Sequence, residues 1–113
     1  LSKARTIGTN FETGIVNYLI SVGHRYAERR ALAGTLDKGD ITGLGPRYAI
    51  ECKAAKKLEI GMWLKETENE RINACADYGF LVIKLPRRSI KDCAVLITVE
   101  QMSRIITELE ESK

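Results

Sequence analysis

The stretch DITGLGPRYAIECKA, residues 40–54, decides the fold. Gly43, Gly45 and Pro46 are turn residues between two segments of strand character, so Asp40 to Ala54 reads as a β-hairpin. Along its second arm the side chains alternate: Glu51 and Lys53 share one face, and Ile50, Cys52 and Ala54 share the other. That alternation turns the polar pair away from the core side. Asp40 opens the first arm, and the short connection brings its carboxylate beside that of Glu51 across the hairpin.

Upstream, Ile7, Phe11, Ile15, Tyr18, Leu19 and Val22 recur at helical spacing, which predicts an amphipathic helix over residues 7–22 stopped by Gly23. Residues 25–31 read as a short basic strand, followed by a flexible stretch from Ala33 to Gly39. Downstream, Ile60 to Ala76 is helical, with Ile60, Trp63, Leu64, Thr67, Ala74 and Cys75 on one face. Gly79 breaks it. The continuous apolar run Phe80 to Leu85 predicts a strand buried on both sides. Residues 93–99 predict another strand, and Val99 to Glu110 a closing helix with Met102, Ile105, Ile106 and Leu109 inward. The expectation is α/β: a mixed central sheet of about five strands flanked by helices, in a single domain over residues 1–113.

Length and composition fit one folded unit without low-complexity tracts or repeats. Its apolar runs are too short to span a membrane and the N-terminus has no apolar leader, so a cytoplasmic protein is expected. Cys52, Cys75 and Cys93 are odd in number and widely spaced, which speaks against a disulfide framework or a paired zinc site. Net charge is only +3, but its distribution is uneven. Basic residues cluster at Arg25, Arg29 and Arg30, at Lys53, Lys56 and Lys57, and at Arg87 and Arg88, while Glu66 to Glu70 and Glu108 to Glu111 gather the acidic ones. Such asymmetry suits a phosphate backbone, hence DNA, with Arg29, Arg30, Lys56, Lys57, Arg87 and Arg88 as contacts.

Asp40, Glu51 and Lys53 form the constellation with chemistry in it. Adjacent carboxylates repel and raise each other's pKa unless a divalent cation such as Mg²⁺ neutralises them. Phosphodiester hydrolysis needs such a Lewis acid, an activated water and a positive charge beside the developing oxyanion. A strand reading Glu-x-Lys is common on solvated sheet faces, where the charges only pair; Gly39-Asp40 upstream and the flanking helices strengthen the chemical reading. On the wheel of the second helix, Arg71 falls within the apolar face and Glu68 at its edge, with Glu66 and Glu70 turned toward solvent. Burying charge is expensive without partners, so Glu68 and Arg71 either pair or edge the same polar site. Glu12, at the margin of the first helix's apolar stripe, serves the site or is an ordinary helix carboxylate.

Gly39-Asp40 followed by Glu51-Cys52-Lys53 resembles the bipartite signature of PD-(D/E)xK nucleases, with Gly in place of the Pro before Asp. Gly8 to Glu12, Glu28 to Gly34 and Asp37 to Ile41 are similar to small Holliday junction resolvases of the actinobacterial phage type, and the likeness extends over roughly Gly8 to Lys84. The resemblance implies a structure-selective endodeoxyribonuclease dependent on Mg²⁺ or Mn²⁺. It places the signature roles on Asp40, Glu51 and Lys53, and adds Glu12 and the Cys52 backbone carbonyl to the metal ligands. It also implies a helical acidic residue completing the site, matched by Glu68 with Glu70 in reserve. Its partners are a branched four-way DNA junction and a second copy of the chain, docked through Phe80 to Leu85 and the last helix around Met102, Ile105 and Leu109. Other nucleases of the same core, acting on flaps or single strands, and a non-catalytic DNA-binding module are the alternative readings.

Overall fold

Ser2 sets where the first helix begins, its hydroxyl accepting a hydrogen bond from the Arg5 N–H at 3.1 Å as an N-cap. In this computed structural model, which describes residues 2–31, 34 and 36–113, the helix α1 runs Lys3–Ser21. It starts earlier than the apolar spacing predicts because the cap lies outside that spacing. Phe11, Ile15 and Val16 are its buried residues, while Tyr18 and Val22 stay exposed.

The predicted basic strand shrinks to β1, Glu28–Arg29. Ala33 and Thr35 of the expected loop lie outside the described residues. The hairpin forms as β2, Ile41–Thr42, and β3, Tyr48–Lys53, with Ile41 opposite Ile50. At Gly43, φ is +95° and a Cβ would lie 1.9 Å from the Tyr26 carbonyl oxygen, so only glycine fits where the hairpin crosses the chain entering β1.

Helix α2, Ile60–Asn73, carries the chain over to β4, Tyr78–Ile83, which pairs parallel with β3 from Tyr48 beside Tyr78 to Lys53 beside Ile83. α2 ends before the predicted Gly79. Cys75 takes the left-handed conformation at φ 53°, its N–H donates to the Ile72 carbonyl and that of Ala76 to the Arg71 carbonyl, a Schellman close built on a cysteine. A short 3₁₀ turn, Ile90–Asp92, places Ile90 against Gly14 of α1. Strand β5, Ala94–Leu96, then pairs antiparallel with β4. The sheet order is β1-β2-β3-β4-β5, mixed and flanked by three helices, as the sequence predicts.

Each face of this sheet has its own core. Ile50, Cys52 and Val82 pack with Phe11, Ile15 and Val16 of α1, whereas Leu81 and Ile83 pack with Trp63 of α2. None of the helices among the described residues is long and apolar enough to cross a membrane.

The last helix, α3, Val99–Glu111, corrects the sequence reading. Met102, Ile106 and Leu109 are exposed, and the buried residue is Gln101. α3 docks on the sheet's edge, where β5 no longer covers β4. There the Gln101 side chain replaces a strand, its Oε1 accepting from the Gly79 N–H at 2.7 Å and its Nε2 donating to the Gly79 carbonyl at 3.1 Å. Arg104 reinforces the dock by donating to the Asp77 carbonyl at 2.8 Å. Gln101→Ala leaves both buried backbone groups of Gly79 unpaired, and urea denaturation should show a loss of about 2–4 kcal/mol. A loss below about 0.5 kcal/mol, the range of an ordinary surface substitution, would mean that α3 is held by something else.

Candidate metal centre

Register decides which face Glu51 occupies. Paired with Leu81 in a parallel ladder, Glu51 points to the α2 side, as does Lys53 beside Ile83. The expectation that this pair turns away from the core is therefore corrected, because α2 covers their face. Glu51 is 5% exposed and Lys53 is half-buried.

Asp40 lies one residue before β2 and is pinned from both ends. Its N–H donates to the Ile50 carbonyl at 2.7 Å, its carbonyl accepts from the Arg30 N–H at 2.8 Å, and its Oδ2 accepts from the Cys52 N–H at 2.8 Å. Within a strand residue, N–H and carbonyl point the same way, so the Cys52 carbonyl also faces the Asp40 side. Gly39 makes the approach possible. Its φ is +103°, and a Cβ there would lie 2.8 Å from the Ile50 carbonyl oxygen. Proline, locked near φ −65°, cannot take this conformation, which explains the glycine physically.

The acidic helix residue is Glu70, not Glu68. Glu68 is exposed and held by Arg71, whose Nε and Nη2 donate to its two oxygens at 2.9 and 2.6 Å; that contact holds its carboxyl below the ordinary range. Of the predicted face of α2, Trp63 and Thr67 are buried and Ile60 and Leu64 pack at its margin, so the covered side is turned toward Glu70 and away from Glu68. At Gly79 a Cβ would sit 3.2 Å from Thr67 Cγ2, so glycine lets α2 seat Thr67 on the strand. Glu70 follows one turn later, 2% exposed, with its Oε2 lacking a hydrogen-bond partner among the described residues.

Asp37 joins from the loop before β2. Its Oδ1 accepts from the Gly39 N–H at 2.9 Å, and its carbonyl accepts from Asn73 Nδ2 of α2 at 2.9 Å. One oxygen each of Asp37, Glu51 and Glu70 lies within 4.8 Å of the others, and this triad can hold a metal ion. The donors are hard oxygens, matching Mg²⁺, Mn²⁺ or Ca²⁺ better than a thiophilic metal, and the unpartnered Glu70 Oε2 provides the vacancy a cation would satisfy. Sequence reading included Asp37 in the family likeness but gave it no role in the site, since nothing in a polar loop marks its fold-back onto α2.

Glu12 is not one of this triad. It lines a cavity of 440 Å³ with Arg29, Arg30, Asp37, Lys38 and Asp40, but its Oε1 accepts from Arg29 Nε at 3.1 Å. β1 carries Arg29 across to Glu12, so this expected ligand is paired with a guanidinium. In the same cavity, Arg30 Nε is buried without a partner among the described residues.

Lys53 has two carboxylate neighbours, Glu66 Oε2 at 2.8 Å and Glu51 Oε2 at 3.8 Å, and its amine lies 5.9 Å from the Trp63 ring centre. Burial pulls the amine's pKa down, but Glu66 and then the charge of Glu51 outweigh it and leave the pKa above its ordinary value. The other basic residues expected to contact DNA lie at or beyond strand ends. Because β1, β3 and β4 point the same way, Arg29 and Arg30, Lys56 and Lys57, and Arg87 and Arg88 all sit toward their C-terminal ends, where Lys53 also lies.

Compared with known proteins, the chain matches no family model, no curated protein and no solved structure.

Burial, followed by contact with neighbouring carboxyls, pushes Asp40 up to about 8. Burial likewise raises Glu51 to about 8, with Glu70 contributing, and Glu70 to about 7. Groups raised on folding contribute stability that is complete below the unfolded carboxyl range and is lost as pH rises through 7 to 8. In chelator, the melting temperature should therefore fall between pH 5.5 and 8.5, by about 4–8 °C for each kcal/mol lost. Millimolar Mg²⁺ should flatten this fall. A melting temperature independent of pH over that range would contradict the clustered carboxyls.

Proposed function

We propose that the chain is a divalent-metal-dependent endodeoxyribonuclease of the PD-(D/E)xK type, most like small Holliday junction resolvases. The observation that carries this reading is the docking of Asp40 Oδ2 on the Cys52 N–H, which sets the Asp40 and Glu51 carboxyls together with the Lys53 amine 3.8 Å from Glu51. Asp40, Glu51 and the Cys52 carbonyl would hold Mg²⁺ or Mn²⁺, which when bound polarises the phosphate and lowers the pKa of water. Lys53 supplies the fixed positive charge against the phosphorane oxyanion. Glu51 would help to hold the ion, and Glu66 together with Glu51 keeps the Lys53 amine protonated. Arg29, Arg30, Lys56, Lys57, Arg87 and Arg88 contribute phosphate contacts around the strand ends, placing DNA over the carboxyls without reading its sequence. The open end of an α/β sheet is the usual position for a polar ligand. Such a protein acts in the cytoplasm, in a host cell if phage-encoded.

Asp40→Asn, Glu51→Gln and Lys53→Ala should each lower cleavage of a four-way junction by at least about 100-fold in Mg²⁺, with DNA binding retained. Glu68→Gln should stay within about two-fold of wild type, since Glu68 is paired with Arg71 away from the cluster. The discriminating assay offers a four-way junction, a flap, a linear duplex and a single strand side by side, with Mg²⁺, Mn²⁺ or chelator. Preference for the flap or single strand would move the chain to another branch of the nucleases. Binding that persists in chelator with no product in either metal would make it a non-catalytic module.

Paired incision of a junction needs two such sites, which a two-fold homodimer supplies. β4 is enclosed between β3 and β5, so the strand part of the predicted dimer surface is unavailable. The exposed Val99, Met102, Ile106 and Leu109 of α3 remain, spaced 3-4-3 along one side of the helix. Light scattering should give twice the chain mass, and Met102→Glu combined with Ile106→Glu should return it to one. A wild-type monomer on the junction would remove the resolvase reading and leave the nuclease reading intact.

A further inference from the structure

We propose that Arg87 is a positioning residue that grips a phosphate of the cleaved strand on the β4 side of the scissile bond, opposite the side held by Arg29 and Arg30. The cleaved strand then crosses the C-terminal edge of the sheet from β1 to β4. The inference rests on the nuclease reading for the chemistry at Lys53. Its own basis is the backbone at Arg87.

Arg87 has φ +57°, a left-handed conformation taken among the described non-glycine residues only by it and Cys75. Cys75 is accounted for by the Schellman close of α2. Arg87 instead occupies the turn made by Pro86 and Arg87, with proline first and the positive φ second, the pattern for which glycine is the unstrained choice. A β-carbon in this conformation costs stability. Nothing within the chain offsets that cost, since Arg87 is exposed and forms no ion pair among the described residues. Even the acid nearby in sequence is engaged, Asp92 Oδ2 accepting from Ser89 Oγ at 2.9 Å. An arginine kept where the backbone favours glycine, and left without a partner, points to a partner outside the chain.

The turn is held at both ends. The Lys84 N–H donates to the Lys53 carbonyl at 2.9 Å, tying its start to the end of the strand that carries the proposed catalytic amine. At its far end, Ile90 sits so close to α1 that a Cβ on Gly14 would come within 2.8 Å of it. Arg87 is therefore presented from a fixed place beside β3. Neighbouring strands lie about 4.8 Å apart, and a duplex strand advances about 3.4 Å per nucleotide. A guanidinium on the β4 side thus meets a phosphate within about two nucleotides of the one at Lys53. In the order β1-β2-β3-β4-β5, β1 lies on the other side of β3, which puts Arg29 and Arg30 on the opposite flank. The order of the strands becomes an order of phosphates.

The test combines a melting measurement with a scan of single methylphosphonate linkages, each removing the charge of one phosphate. The scan runs along the cleaved strand of a four-way junction, or of the flap where that is preferred, in Mg²⁺. Arg87→Gly should raise the melting temperature by about 2–6 °C through release of the left-handed conformation. It should also lower kcat/KM by about ten-fold through loss of one charge-assisted contact. Arg87→Lys, which keeps the charge, should recover most of the lost rate without the gain in stability. In wild type, a neutral linkage within about two nucleotides of the scissile bond on one side should slow cleavage about ten-fold, and Arg87→Gly should be indifferent to it. Arg30→Ala should be indifferent to a linkage on the other side. A melting temperature that does not rise in Arg87→Gly, or cleavage by that variant at the wild-type rate, overturns the placement and leaves the nuclease reading standing. So does sensitivity of Arg87→Gly to every linkage that slows wild type, or indifference of both variants on the same side. A wild type that cleaves no DNA in Mg²⁺ or Mn²⁺ overturns the nuclease reading, and the placement with it.

Discussion

The hydrogen bond from the Cys52 N–H to Asp40 Oδ2, 2.8 Å long, is made where β2 has not yet begun and β3 has lost its neighbour on that side. An edge N–H on a buried strand must find an acceptor, and here the acceptor is a carboxylate instead of a backbone carbonyl. The strand thereby fixes the acid. Two further backbone bonds hold Asp40 in place, and each needs the chain to turn tightly at Gly39, where any side chain would meet the Ile50 carbonyl. The conformational freedom of one glycine therefore sets the separation between Asp40 and Glu51, on which every chemical property of the centre depends.

Burial gives that separation its electrostatic weight. On an open sheet face, Glu51 and Lys53 would be an ordinary solvated pair worth little. Under α2, Glu51 is nearly dry, and it is flanked by carboxyls that share its environment. Protons or cations must compensate the row, and a divalent cation held there would compete with the protons. The close approach of α2 comes from Gly79, which admits Thr67, and the backbone of Gly79 is in turn clasped from outside by Gln101 of α3. A helix remote from the carboxyls thus secures the strand against which the Glu70 helix is seated.

Much of this was legible from residue patterns. Period-two alternation and the Gly43, Gly45, Pro46 turn placed Asp40 opposite the Glu51 strand, and the apolar run ending at Leu85 gave a strand buried on both sides. What failed did so for definable reasons. Alternation says that Glu51 and Ile50 face opposite ways, but not that both ways are covered; this required the parallel pairing with β4 and the crossover through α2. In α2 the predicted face was centred between Trp63 and Leu64, which put Glu68 at its edge and Glu70 toward solvent, whereas the helix is turned toward Trp63 and Thr67 and buries Glu70. That setting depends on Gly79, a residue outside the helix. α3 presented the opposite difficulty. Its apolar stripe was clear, yet the helix docks through Gln101 and Arg104, because a sheet edge offers hydrogen-bonding groups and not an apolar face.

Lys53 shows how the same burial shapes the cation in the site. Its amine is held by Glu66, one turn before Glu70 on α2, and lies closer to that carboxylate than to Glu51. Without Glu66, a half-buried amine beside apolar Trp63 and Ile83 would be pulled down by desolvation alone, and its charge would depend on whether a metal had already taken the Glu51 carboxylate. Glu66 removes that dependence. It keeps the ammonium protonated when Glu51 is committed elsewhere, at the expense of holding it slightly aside. The separation of 3.8 Å from Glu51 is short enough for electrostatic attraction and too long for a hydrogen bond, so the amine is charged and near, yet not consumed by the ligand set. α2 therefore contributes two acids with opposite duties, Glu66 for the ammonium and Glu70 for the carboxyl row.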